Sequence, residues 1–232
     1  MSKIIVGGVE KFSAVDFPGK LSAVVFMQGC PWNCPFCHNA SIREILSEND
    51  FSWDIFLEFL KNRIGKLDAV TFSGGEPLVQ EGLYSAINDV KQMGFQIGLH
   101  TGGYRPEHLA KVLPIVDWVG LDIKAPFVSD HYQKIVGVNH LERVKQSLEL
   151  LLTSGINFEC RTTCDPRFLT KDDLYKISQE LKSRGVKKYF LQKYRPIASD
   201  NISTDSMCEE IVSDKDLLSW LKQNFTDFEV RK

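Results

Sequence analysis

The chain has 232 residues and a formal net charge of −2, with 43% hydrophobic and 25% charged residues. That balance is ordinary for a globular protein and argues against one whose main work is gripping nucleic-acid phosphates. No apolar run of about 18 residues and no apolar leader of about 7–15 residues is present, so a cytoplasmic protein without membrane spans is expected.

In chain order, strand and helix patterns alternate. Strands are predicted at 21–27, 69–72, 95–99, 118–123, 156–163 and 188–192. Helices are predicted at 53–64, 83–93, 106–113, 140–152, 171–184 and 214–223. The expected organisation is one α/β domain over 1–232: an N-terminal extension at 1–20, a core at 21–195 and a C-terminal segment at 196–232. Six strands alternating with helices predict a parallel sheet. Periodicity alone does not separate an open doubly wound sheet from a partial barrel, but in both the chemistry belongs at the C-terminal strand ends. The polar clusters obey that rule. A cysteine-rich loop follows the first of these strands, GGEP the second and His100-Thr101-Gly102-Gly103 the third, while Asp122-Ile123-Lys124 ends the fourth.

The loop GCPWNCPFCHN, from Gly29 to Asn39, carries Cys30, Cys34 and Cys37. Three closely spaced thiolates suit a soft metal or an iron–sulfur cluster. A [4Fe–4S] cluster held by protein alone needs four cysteines, so three leave one iron open to an outside ligand. Structural zinc sites commonly take four ligands; here the fourth would be His38, beside Cys37 in the chain. Disulfides are disfavoured in a reducing compartment.

The second motif, Asp68-AVTFSGGEPLVQEG, ends a strand-like run in Gly74, Gly75 and Glu76. Paired glycines allow close approach to the backbone, and Glu76 adds a carboxylate at the same strand end. Alone, GGEP marks a turn as readily as a site. Together, CxxxCxFC and GGE resemble the radical S-adenosylmethionine (SAM) superfamily. The resemblance implies a partial (β/α)6 barrel, a [4Fe–4S] cluster on Cys30, Cys34 and Cys37, and SAM chelating the open iron. It gives Glu76 the SAM amino group to bind. It also implies reductive cleavage of SAM to methionine and a 5′-deoxyadenosyl radical. Phe36, Cys37 and His38 would lie along SAM, with Gly75, Asp122, Ile123, Lys124 and Arg195 also on the cofactor.

The similarity extends further. Val9-EKFSAVDFPGKLSAVVF, the CHN continuation, Leu121-DIKAP and Cys160-RTTC are similar to activases of glycyl radical enzymes, above all those acting on anaerobic ribonucleoside-triphosphate reductase. This implies hydrogen abstraction from a backbone glycine of a partner reductase and a reductant such as flavodoxin. The alternatives are an activase of the pyruvate formate-lyase type, a radical SAM enzyme with another substrate, and a non-catalytic zinc or electron-carrier protein. One departure concerns position 100. Related activases often carry Asp there, whereas neutral His100 beside Gly102 would bind a monovalent cation poorly.

The remaining candidates are weighed against plainer readings. In the strand at 156–163, Asn157, Glu159, Arg161 and Thr163 share a polar face. Arg161 is therefore a candidate for cofactor contact; the plain alternative is an exposed Arg161–Glu159 pair. Asp122 and Lys124 bind SAM or form only a strand-end ion pair. Arg195 reaches the cofactor or partner, or is a solvated loop arginine. His38 and Asn39 are expected near the cluster. Cys160 and Cys164 are read as small buried hydrophobes, and Cys208 as incidental in the polar stretch 201–210.

Overall fold

In the computed structural model, residues 4–46, 51–197, 200 and 203–232 are described. The chain forms two compact units, each drawn from three separate stretches. Residues 1–31, 39–120 and 143–157 make the first, and 32–38, 121–142 and 158–232 the second.

The first unit opens with β1 (Val6–Ser13), antiparallel to β2 (Ser22–Met27). β2 runs parallel to β3 (Ala69–Gly74), and β3 to β4 (Gln96–Thr101). Between strands lie α1 (Trp53–Lys61), α2 (Leu83–Gln92) and α3 (Pro106–Val112). α1 starts where the Ser52 side chain accepts from the Ile55 amide, a standard N-cap. The strand residues Ala23, Val24, Val25, Val70, Phe72, Ile97 and Leu99 are wholly buried. Burial on both faces explains their continuous apolar runs. β5 (Trp118–Asp122) crosses the division between the units.

The second unit contains α4 (Ser129–Val136) and most of β6 (Asn157–Cys164), and α5 (Leu141–Ser154) belongs mainly to the first. It continues with α6 (Lys171–Ser183), β7 (Lys188–Lys193), α7 (Ser203–Val212), α8 (Lys215–Asn224) and β8 (Asp227–Arg231). β6, β7 and β8 pair in parallel. α6 begins in a capping box between Thr170 and Asp173, and α4 ends at Gly137 with φ of 86°.

All six expected strands and six expected helices are present, with ends shifted by a few residues. Four elements were not expected: β1, α4, α7 and β8. β1 carries Gly7 and Gly8 and is largely exposed, which blurs its alternation. β8 is a five-residue strand with exposed and half-exposed positions only. α4 spans just over two turns. α7 corrects the reading of 201–210 as a merely polar stretch, although Asn201 and Ile202 lie outside the described residues. Cys208 on this helix is fully buried. Among the described residues, no helix is long and apolar enough to cross a membrane.

Candidate active site

In the first unit, the ends of β2 and β3 are laced together by backbone. The Gly75 amide donates to the Met27 carbonyl and the Glu76 amide to the Gly29 carbonyl, each at 2.8 Å. A Cβ at Gly74 would lie 2.2 Å from the Met27 nitrogen, and φ there is 112°. A Cβ at Gly75 would lie 2.2 Å from the Gly29 carbonyl oxygen. The paired glycines are therefore required by the packing of β3 against the start of the cysteine loop, whatever ligand approaches. Beyond the loop, Asn39 Nδ2 donates to the Gly74 carbonyl at 3.1 Å, and the Cys30 amide to Arg43 at 2.9 Å.

Glu76 is 1% exposed. Its Oε1 accepts from Thr101 Oγ1 at 2.5 Å and the Leu78 amide at 3.1 Å, and its Oε2 from the Gly102 amide at 2.7 Å. Thus the carboxylate braces the end of β4. The roles of Thr101 and Gly102 were not legible in sequence; only their place after a strand pointed to them. Glu76→Ala leaves these buried donors without their acceptor and should cost about 2–4 kcal/mol. Denaturant unfolding, compared with Glu76→Gln, checks this.

His100 is engaged within the fold. Its Nε2 lies 2.8 Å from the Asp16 carbonyl oxygen and its Nδ1 3.3 Å from Ser73 Oγ. A carbonyl only accepts, so Nε2 carries the hydrogen. His100 thereby holds the Asp-Phe-Pro-Gly turn, whose Phe17 packs on Trp118 at 5.4 Å between ring centroids. Gly98 leaves no room for a side chain: a Cβ would lie 2.8 Å from Thr71 Oγ1 and 2.9 Å from the Phe17 ring.

In the second unit, Cys34 and Cys37 form a turn in which the Cys37 amide donates to the Cys34 carbonyl at 3.3 Å. The Asn33 amide caps α4 at the Val136 carbonyl, 2.9 Å away. Burial pushes the Cys34 thiol up, while the Lys124 ammonium acts in the opposite direction. Lys124 also lies over the Trp32 ring at 5.6 Å. Phe36 packs on Phe168, and His38 stacks on Tyr194.

Asp122, Lys124 and Arg161 do come together. Arg161 Nε and Nη2 lie 3.0 and 2.8 Å from Asp122 Oδ1, and Lys124 Nζ 3.4 Å from Asp122 Oδ2. The expected Arg161–Glu159 alternative is corrected, because buried Glu159 pairs instead with Arg231. The Ile123 amide donates to the Arg161 carbonyl at 2.8 Å, fixing β5's end to β6. Arg195 is exposed and donates from Nη2 to the Lys232 carbonyl at 2.8 Å.

Cys160, Cys164 and Cys208 are free and fully buried. Burial pushes the first two thiols far up and that of Cys208 to about 11. Since the thiolate is the reactive form, these three should resist a thiol reagent at pH 8 until the chain unfolds. Cys30 and Cys37, both half-buried, should react first; mass spectrometry of labelled peptides gives the order.

Within either unit, the described residues form no ready-made group of three metal-binding side chains. The donors in the cysteine loop nevertheless suit an iron–sulfur cluster by their chemistry: three thiols of soft character, none in a disulfide, in an eight-residue stretch. Cys30, Cys34 and Cys37 would hold it.

Residues 24–165 match the radical SAM superfamily. A protein of Methanocaldococcus jannaschii named as a glycyl-radical enzyme activating enzyme is 28% identical over 212 residues, spanning 84% of this chain and 81% of that protein. The pyruvate formate-lyase-activating enzyme of Clostridium pasteurianum is 28% identical over 199 residues, 83% of this chain and 82% of its own length. Among solved structures, Streptococcus suis SuiB bound to S-adenosylmethionine matches 88% of this chain at 12% identity, with a TM-score of 0.65. This chain spans about half of that one, 48%, and the likeness is one of fold. It agrees with the partial (β/α)6 barrel expected from the motifs. With more than half of its length matched, the chain belongs to the radical SAM superfamily, whose cofactors are a [4Fe–4S] cluster and S-adenosylmethionine.

Proposed function

We infer that this chain is a radical SAM activase that installs a glycyl radical on a partner enzyme. The observation that carries this is similarity to glycyl-radical activating relatives along most of both chains, not only at the motifs. When bound, the cluster and SAM supply one-electron cleavage of a carbon–sulfur bond and a carbon radical able to abstract hydrogen. The chain's own residues bind and orient. Cys30, Cys34 and Cys37 hold the cluster. Glu76, already fixed by Thr101 and Gly102, offers its carboxylate to the SAM amine. Asp122 at the end of β5, Lys124 just beyond it and Arg161 within β6 form a charged group suited to the polar parts of SAM. Phe36, His38, Gly74, Gly75, Ile123 and Arg195 complete the proposed contacts.

The proposed partner is anaerobic ribonucleoside-triphosphate reductase, with a flavodoxin-type reductant. The names of the pyruvate formate-lyase-activating relatives give pyruvate formate-lyase equal support as the partner. Anaerobic EPR decides between them. Reconstituted, reduced protein is mixed with SAM and each candidate enzyme in turn. A glycine-centred radical on the reductase, with 5′-deoxyadenosine formed, supports the first reading; a radical only on the lyase supports the second. SAM cleavage without a radical on either overturns both partner assignments.

A further inference from the structure

Behind the Cys34–His38 turn, within the second unit, lies a charged clamp that the reading above does not use. Asp165, fully buried at the end of β6, holds Arg167 in a two-pronged grip. Its Oδ1 accepts from Arg167 Nε at 2.9 Å and from the Arg167 amide at 3.1 Å, and its Oδ2 from Nη2 at 2.6 Å. Asp200 takes the third nitrogen, Nη1. It also accepts from the buried Tyr194 hydroxyl at 2.8 Å and the Ile197 amide at 2.9 Å. Carboxylates on both sides leave the guanidinium little freedom to rotate.

The held guanidinium faces two rings. It lies 5.0 Å from the Tyr194 ring centroid and 5.4 Å from that of Phe168. Each ring continues to one neighbour of Cys37. Tyr194 stacks on His38 at 5.2 Å and 28°, and Phe168 meets Phe36 at 6.4 Å. His38 Nε2 lies 2.7 Å from the Arg195 carbonyl oxygen, next in the chain to Tyr194. The residues before and after Cys37 therefore rest on supports that one fixed cation joins.

We propose that Arg167, clamped between Asp165 and Asp200, is a positioning residue that fixes the direction of the Cys37 thiol through Phe168–Phe36 and Tyr194–His38. A planar cation suits this task, since it can be gripped at its edge by carboxylates while its face meets aromatic rings. Lysine has no such fork, so the conservative exchange should fail. The proposal rests on Cys37 as a cluster ligand, not on the identity of the glycyl-radical partner.

The test begins with cluster-free, fully reduced chain, so that partner and turnover play no part. Alkylation rates of all six cysteines are followed by mass spectrometry in the wild type, Arg167→Lys and Tyr194→Phe, with hydrogen exchange of the segment 32–38. Arg167→Ala is included as well; if it fails to fold, the other two variants decide. Arg167→Lys is expected to speed Cys37 alkylation about three- to tenfold and to raise amide exchange in 32–38. Cys160 and Cys164 should stay protected. After reconstitution, the midpoint potential and reduced EPR signal of the cluster should shift. An unchanged Cys37 rate overturns the proposal. So does a general rise that includes Cys160 and Cys164, which marks loosening of the whole unit. Loss of glycyl-radical formation with unchanged Cys37 behaviour bears on the proposed function and counts against the clamp.

Discussion

Cys34→Ala is expected to give a folded chain that holds no intact cluster and cleaves no SAM above background. The residue is buried, at 7% exposed, but the exchange removes only one sulfur atom, so it should cost about 1 kcal/mol. The backbone turn to the Cys37 amide needs no side chain. What disappears is one of three thiolates. In the proposed site SAM would take the iron that the protein leaves open, so it could not also replace Cys34. Iron content after anaerobic reconstitution should fall well below about four per chain. Retention of four irons and of 5′-deoxyadenosine release would remove Cys34 from the ligand set.

The second large effect is expected from Gly75→Ala and Gly74→Ala. At Gly75 the new methyl meets backbone, with Gly29 oxygen at 2.2 Å and its carbonyl carbon at 2.7 Å. At Gly74 it meets Met27 and Phe26 backbone, with a φ of 112° added to the strain. No flexible side chain can yield at either place, so β2 and β3 must part. A loss of about 3–5 kcal/mol is expected for each, read as a fall in the denaturation midpoint. By contrast Gly65→Ala has open space around its Cβ and meets only the strain of a φ of 74°. It should cost about 1 kcal/mol. Equal effects at Gly65 and Gly75 would show that the close strand contact carries no weight.

The cysteine loop and GGE were legible because such chemistry demands particular residues at particular spacing. The inner strands were legible for another reason: β2, β3 and β5 are buried on both faces and read as apolar runs, while β6 shows as a two-residue alternation. Partners of charged groups were less accessible. Arg161 faces Asp122, 39 positions earlier, rather than Glu159 two positions away, because β5 and β6 are neighbours in the sheet. Glu159 finds Arg231, 72 positions later, on a strand that was itself not expected. The clamp around Arg167 was hidden likewise, since Asp165, Tyr194 and Asp200 belong to three stretches with no common motif. Position 100 was read as a weakened cation ligand, whereas the structure gives its imidazole to the turn at Asp16.

Each compact unit is spliced from three stretches of chain, and that affects how the protein is made. The first unit includes residues 143–157, and Ser147 on α5 donates to the Gly103 carbonyl at 2.9 Å. Its fold is therefore incomplete until α5 has left the ribosome. At about 5–20 residues per second, synthesis from residue 31 to residue 157 takes about 6–25 s. For the last 56 residues of that stretch, about 3–11 s, β2, β3 and β4 are all made and α5 is not yet complete. A newborn chain of this kind is expected to lean on chaperones, and fragments ending before α5 should collect in aggregates rather than as a small folded domain.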